Sequence, residues 1–138
     1  MFTLLESQLA RDLADDSELS MADYTVLSNL AEANDRRSRI TALADQVQWS
    51  QSRLSHQIAR MEKRGLVSRS QAHDDGRGAV VLLTKNGLRS VAAATPGHMA
   101  SVRKHMVDLL SPDQLEKLAV IAETVISNLE DPPEQPGG

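Results

Sequence analysis

The sequence predicts a mainly α-helical fold that contains one small β-hairpin. Apolar residues recur every three or four positions along most of the chain, which is typical of helices with one buried side. The period changes at residues 67–71 and 79–83, two short β-prone segments that flank an Asp-Gly-rich turn. At 138 residues the chain supports one compact core with appended helices.

Three helices are expected in the first third of the chain. In residues 2–14, Leu5, Leu9 and Leu13 are four positions apart, so we expect a helix with one apolar face. Ser20 and Asp23 form a capping pattern that opens the second helix. Residues 34–38 are polar and are expected to form a loop. Residues 40–47 again show helical spacing of apolar side chains and predict the third helix.

A fourth helix is expected at about residues 50–64. Ser50 can cap its first turn, and Gly65 can end it. Its inward stripe consists of Leu54, Ile58 and Met61, whereas the opposite face is polar and basic. Two helices joined by a tight turn, the second with a polar outer face, predict a helix-turn-helix. The hairpin at about 67–83 that follows makes this a winged helix-turn-helix, which we place at residues 19–89.

The C-terminal part predicts further helices. A helical stretch runs from Thr84 to about Leu110, with a break or kink at Pro96-Gly97. Ser111 then caps a last helix, whose apolar residues follow heptad spacing: Leu115, Leu118, Ala122, Val125 and Leu129. We expect the helices within 1–18 and 90–130 to form a two-fold homodimer with a second copy, although they could instead fold back on their own chain. The tail, 131–138, is expected to be disordered.

Positive charge is concentrated in the middle of the chain. The net charge is −4, yet residues 36–89 hold 11 of the 15 Lys and Arg and only 4 of the 19 Asp and Glu. A segment that faces nucleic-acid phosphates needs positive charge, because each Lys or Arg that neutralises a phosphate releases a counterion. The positive middle of this chain, between acidic ends, fits such a segment. Ordinary variation along a solvated surface is the alternative.

Composition argues against catalysis, a metal or a cofactor. Cysteine is absent, which excludes disulfides and thiolate chemistry. His98 and His105 are seven residues apart, but a single pair at this spacing is more often solvated or at the edge of a core than a metal site. No phosphate loop or nucleophile motif is present, so we expect no enzyme. The chain lacks signal-peptide features and an apolar run of roughly 20 residues, which predicts a cytoplasmic protein and no membrane partner.

Residues from Leu19 to about Leu129 resemble the MarR family of bacterial regulators, named for multiple antibiotic resistance. The matching segments are Ser20 to Leu27, Trp49 to Ile58, Met61 to Val67, the wing sequence Asp75-Gly-Arg-Gly78, and Val81 to Thr84 with Gly87. The first helix is shorter than is usual in the family, which implies either a trimmed dimer arm or a natural start upstream of Met1.

The resemblance implies a sequence-specific regulator that binds duplex DNA, a repressor that acts as a homodimer on a palindromic operator. Release by a small lipophilic or phenolic effector is a further implication. A winged-helix module that binds protein rather than DNA is the alternative from a different class.

The resemblance also implies roles for individual residues. It places the fourth helix in the major groove, where Gln can read adenine and Arg can read guanine. The implied DNA-binding residues are Arg39, Ser50, Gln51, Ser52, Arg53, Ser55, His56, Arg60 and Arg77. Asp75 resembles the family's wing aspartate, which braces basic side chains, although turn chemistry alone could explain it. The arginines at 36, 37 and 39 could meet the DNA backbone or lie in a solvated loop, and Trp49 is expected to pack the turn against the core.

Overall fold

The computed structural model describes residues 1–71 and 78–133. Within them the chain forms six α-helices and a three-stranded sheet, as the sequence predicts for a mainly α-helical winged fold. Two compact units can be separated, Met1–Met99 and Ala100–Gly138. None of the helices in the described part of the chain is both long and apolar enough to cross a bilayer.

Helices α1 (Phe2–Asp16), α2 (Met21–Glu32) and α3 (Ile40–Val47) form at the expected positions. The capping pattern that opens α2 is confirmed, since the Ser20 hydroxyl accepts a hydrogen bond from the Asp23 amide at 3.0 Å. The Asp23 carboxylate in turn accepts one from the Ser20 amide at 3.0 Å. Two of the first four backbone N–H groups at this helix start are therefore satisfied by side chains.

Helix α4 (Gln51–Lys63) follows α3 after a turn of three residues. Gln48 makes this turn tight by adopting a left-handed conformation with φ of 59°. The Ser50 hydroxyl accepts a hydrogen bond from the Arg53 amide at 3.1 Å and caps α4, as predicted. Gly65 follows the helix with φ of +73°, a backbone conformation that residues with a Cβ rarely adopt.

The sheet contains one strand more than the predicted hairpin. Strands β2 (Val67–Gln71) and β3 (Ala79–Leu83) pair antiparallel as expected. A third strand, β1 (Arg37–Arg39), pairs antiparallel with the other edge of β3, so the order is β1-β3-β2. The prediction of a loop at 34–38 is therefore wrong for residues 37 and 38, because β3 supplies hydrogen-bonding partners that local sequence does not reveal. The hairpin tip, with Asp75 and Arg77, lies outside the described residues.

One hydrophobic core joins α1, α2, the helix-turn-helix and the sheet. Its fully buried side chains include Leu27, Leu43, Leu54, Ile58 and Val81. Trp49 packs against this core while half-buried, which agrees with the expected packing of the turn. The core therefore holds α4 by one face and leaves the other face in solvent.

The C-terminal helices are α5 (Lys85–His105) and α6 (Pro112–Glu130), separated by a short 3-10 turn. Helix α5 continues through Pro96, so the helix is not broken at this position, and a kink at Pro96-Gly97, the other predicted possibility, stays a prediction. Proline removes only one backbone donor, and packing of the helix can outweigh that loss. The Ser111 cap of α6 is confirmed by a hydrogen bond from the Gln114 amide at 3.2 Å. Of the tail expected to be disordered, residues 134–138 lie outside the described part.

Candidate nucleic-acid interface

The outer face of α4 carries most of the residues predicted to contact DNA. Its buried face consists of Leu54, Gln57, Ile58 and Met61. Since successive helical residues turn by about 100°, Ser52, His56 and Lys63 point directly away from this face. Gln51 and Ser55 lie on one side of them, and Arg53 and Arg60 lie on the other. All of these side chains are exposed except Ser55, which is half-buried.

Two of the predicted contact residues have structural roles as well. The Ser50 hydroxyl is engaged in capping α4, so its oxygen already has a donor. The Arg53 guanidinium lies over the Trp49 ring, 4.2 Å from the ring centre, which is a cation-π distance. Arg53 is thus held against the turn of the helix-turn-helix while its side chain stays exposed.

The remaining predicted residues lie on other elements. Arg39 is exposed at the end of β1, where it pairs with Val80 and occupies the N-cap position of α3. Arg36 has positive φ of 53° in the 3-10 turn before β1. Arg77 and Asp75 belong to the hairpin tip outside the described residues. The structure therefore assembles the α4 set on one surface and leaves the wing residues as predictions.

Three further residues, at the start of α2 and the end of α4, were not among the predicted site residues. Gln57, Asp23 and Arg64 form a hydrogen-bonded group between the start of α2 and the end of α4. The Gln57 amide donates to one Asp23 carboxylate oxygen at 2.6 Å, and Arg64 donates to the other at 2.6 Å. The signal in the sequence was that Gln57 falls on the inward stripe, three residues after Leu54 and four before Met61.

Glu62 connects α4 to the wing. Its carboxylate accepts a hydrogen bond from the Arg69 amide of β2 at 3.2 Å, and the Arg69 guanidinium lies 3.6 Å from it. The pair is partly exposed, so we expect it to contribute little to stability. Its geometry nevertheless joins α4 to β2 through the Glu62 side chain.

A crevice of about 560 Å³ opens between α1, α2, the helix-turn-helix and α5 within the first unit. Leu9 and Met21 line it with apolar surface, and Trp49, Arg53 and His98 contribute polar groups and rings. His98 packs its ring against Tyr24 with 4.7 Å between ring centres. Burial lowers the pKa of His98 below its ordinary value, which favours the neutral ring.

Among residues 1–71 and 78–133, no cluster of three His, Asp or Glu side chains could hold a metal ion.

This geometry defines the class of the protein: a winged helix-turn-helix whose second helix presents a polar and basic face to solvent. The MarR family model matches residues 19–78. No curated protein sequence matches the chain significantly.

Solved structures extend the likeness beyond the winged helix. AbsC, a MarR family transcriptional regulator from Streptomyces coelicolor, is 41% identical with a TM-score of 0.85, covering 93% of this chain and 86% of its own. Sco3205, a MarR family transcriptional regulator from the same organism solved in complex with DNA, is 37% identical with a TM-score of 0.86. That match covers 99% of this chain and 85% of the other.

A third structure, a mutant of E. coli MarR complexed with operator DNA, has a TM-score of 0.79. It is 19% identical and covers 89% of this chain and 86% of its own, and at that identity it supports the fold alone. The chain belongs to the MarR family, and it is a transcriptional regulator. The resemblance seen in the sequence is thereby confirmed.

Proposed function

We propose that this regulator binds duplex DNA as a homodimer, with α4 of each protomer in a major groove. The observation that carries the proposal is the outer face of α4, where Gln51, Ser52, His56 and Lys63 are exposed on one helix while its opposite face is anchored in the core. Such side chains can read base edges and bind phosphates. Sco3205, which is 37% identical to this chain, was solved in complex with DNA, which supports the same role here.

The roles of individual residues form part of the same proposal. Arg53 and Arg60 lie on the same side of the exposed face of α4, where they can contact the DNA backbone or a guanine at the groove edge. Arg39 contacts a phosphate from the start of α3. Arg77 enters the minor groove from the wing tip, with Asp75 bracing it, as the family resemblance implies.

The homodimer is supported by the apolar surface of α6, which has no buried residue in the single chain. Ile121, Val125 and Leu129 are each at least half exposed. Apolar surface of this extent on a regular helix is typical of an interface between protein chains. A two-fold dimer would present two copies of α4 to a palindromic operator. We further propose that binding represses transcription and that the protein acts in the cytoplasm.

The crevice beside Trp49 is the proposed site of a small lipophilic or phenolic effector. Its volume falls within the range of small-molecule pockets, and it combines apolar walls with a few polar groups. Arg53 belongs both to this crevice and to α4, so a ligand that binds Arg53 would compete with the DNA-bound arrangement. No catalytic step is part of the proposed function.

Selection of bound sites from random duplexes tests the proposal. We expect a palindrome whose half-sites lie about one helical turn apart, because two copies of α4 related by a two-fold axis read inverted sequences. Enrichment of a single, non-repeated site would contradict the homodimer, and no enrichment at all would contradict sequence-specific binding.

A further inference from the structure

A buried carboxylate lies under the C-terminal half of α4. Asp23 is only 3% exposed, although it belongs to the first turn of α2. Its two oxygens accept hydrogen bonds from Gln57 and Arg64 of the neighbouring helix region and from the Ser20 amide. Arg64 also donates to the Glu18 carbonyl at 2.8 Å. The start of α2 is therefore hydrogen-bonded to the end of α4 through one side chain.

Gln57 extends this group to the outer surface of α4. Its amide nitrogen donates to Asp23, while its carbonyl oxygen accepts a hydrogen bond from the Arg60 guanidinium at 2.9 Å. A carboxylate can only accept and a guanidinium can only donate, so the chemistry of the two partners fixes which end of the amide faces each. Glutamine satisfies both partners at once, whereas glutamate would place a carboxylate against Asp23 and methionine would leave both partners without this bond.

The carboxylate is held in its charged form. Burial alone would raise the pKa of Asp23, but hydrogen bonds from Arg64 and from the Ser20 backbone, with the positive charge of Arg64, outweigh burial and lower the pKa. Gln57 is itself 5% exposed, so its bond to Asp23 is shielded from water. A charged acceptor in a shielded place holds its donors more firmly than a neutral one does.

We propose that Asp23 is a positioning residue for DNA binding, because it holds Arg60 on the outer flank of α4 through Gln57. The inference rests on the proposed function, since Arg60 must contact DNA for its position to matter. Arg60 is exposed, and one end of its guanidinium is tied to Gln57. Fixing a long side chain before binding reduces the entropy lost when it contacts a phosphate.

A double-mutant cycle between Asp23→Asn and Arg60→Ala tests this inference. Binding of each purified variant to a mixed-sequence duplex would be measured by fluorescence anisotropy. We expect Arg60→Ala to weaken binding by roughly tenfold in the wild-type background, within the range for one arginine contact. An asparagine at position 23 would turn its single oxygen toward Arg64 and the Ser20 amide and its NH2 group toward Gln57, so the Gln57 oxygen would turn toward residue 23 and away from Arg60. In this background Arg60→Ala should therefore weaken binding by less than about twofold.

Arg53→Ala is the matched control for the cycle. Arg53 lies on the same exposed flank of α4 but stacks on Trp49 and does not bond to Gln57. Its effect on binding should therefore be the same in both backgrounds. A merely structural role for Asp23 would instead leave the effect of Arg60→Ala unchanged in the Asp23→Asn background, and that additive result would overturn the inference.

Gln57→Met provides the second test, which does not depend on the folding of Asp23→Asn. It removes the connection to Arg60 while it leaves the ion pair between Asp23 and Arg64 in place. The effect of Arg60→Ala should again shrink in this background, and full additivity would overturn the inference. Wild-type protein that fails to bind any duplex would contradict the proposed function itself, whereas wild-type binding with additive variants contradicts only the positioning role.

Discussion

Single residues in this protein stabilise the fold through bonds that depend on their charge state. Asp23 is the best example, because its carboxylate caps α2 and also pairs with Arg64 at 2.6 Å. A protonated Asp23 carboxyl could not accept hydrogen bonds from the Ser20 amide, Gln57 and Arg64 all at once. The contribution of Asp23 to stability should therefore vary with pH.

We expect Asp23→Asn to lower the free energy of unfolding by about 2 kcal/mol at pH 7, since a buried acceptor of several donors is lost. The folded-state pKa of Asp23 lies below its unfolded value. Its contribution is therefore complete above about pH 4 and is lost as the pH falls through the folded-state pKa. Urea denaturation at several pH values should show the two proteins converging at low pH.

Asp113→Asn is the control for this measurement. Asp113 also lies in the first turn of a helix, but its side chain is 71% exposed, with a surface ion pair to Lys117. Its replacement should change stability by less than about 0.5 kcal/mol at any of these pH values. An equal effect of the two substitutions would show that burial of Asp23 does not matter.

The family resemblance of the wing sequence implies that Arg77 contacts the minor groove. Arg77→Ala should weaken binding to the selected operator by roughly tenfold, if one minor-groove arginine is lost, with little change in thermal stability. Electrophoretic mobility shifts and a melting curve measure the two effects. Wild-type affinity in the variant would mean that the wing arginine is wrongly assigned.

The residues on the outer face of α4 could be predicted from sequence, whereas the hydrogen-bonded group of Asp23, Gln57 and Arg64 could not. Helical period separates Gln51, Ser52 and His56 from the core side of α4 without any knowledge of neighbours. The bond between Gln57 and Asp23 joins residues 34 positions apart. Only the packing of α2 on α4 brings them together, so the sequence shows a polar residue on an apolar stripe but not its partner.

The start of α5 packs closely against the segment that follows α4 and against β3. A Cβ added to Gly87 would lie 2.1 Å from the Leu66 carbonyl oxygen and 2.8 Å from a Leu83 methyl group. The Thr84 hydroxyl fixes the same junction, because it donates to the Gly65 carbonyl at 2.7 Å and accepts from the Gly87 amide at 2.9 Å. The contact at Gly87 involves backbone, so it cannot be relieved by a rotamer change.

We therefore expect Gly87→Ala to lower the free energy of unfolding by about 3 kcal/mol, at the upper end of overpacking effects. Gly97→Ala on the same helix is the control. A Cβ there would lie 3.3 Å from a carboxylate oxygen of Asp16, the end of a side chain that can move. That variant should be within about 1 kcal/mol of wild type. Thermal denaturation of both variants checks the contrast, and equal stabilities would contradict the close packing.

Elements differed in how well local sequence predicted them. The helices with capping residues, α2, α4 and α6, begin where Ser20, Ser50 and Ser111 predict, because a cap is a local interaction. Strand β1 was missed because Arg-Ser-Arg has no apolar alternation, and its pairing with β3 joins residues more than 40 positions apart. The sheet therefore required tertiary information.

In the proposed dimer, α6 forms the interface between the two chains, so substitutions on α6 test the assembly. Val125 lies on the predicted heptad face and is 52% exposed in the single chain. Val125→Glu should convert the dimer to a monomer, because association would bury an unpaired charge. Sedimentation equilibrium measures the mass directly.

Val120→Glu is the matched control for assembly. Val120 is 58% exposed but lies about 140° around α6 from Val125, away from the heptad face. This variant should remain a dimer. If Val125→Glu stays dimeric as well, α6 is not the interface, and a monomeric wild-type protein would contradict the homodimer.

In the proposed function, the polar and basic surface around α4 binds DNA phosphates and bases. The affinity of the wild-type protein for a mixed-sequence duplex, measured at increasing salt concentration, tests this binding. We predict a linear fall of log affinity with log salt, with a slope that Arg60→Ala reduces by about one, because each phosphate contact releases a counterion. An affinity that does not change with salt would contradict DNA binding and favour a winged-helix module that binds protein.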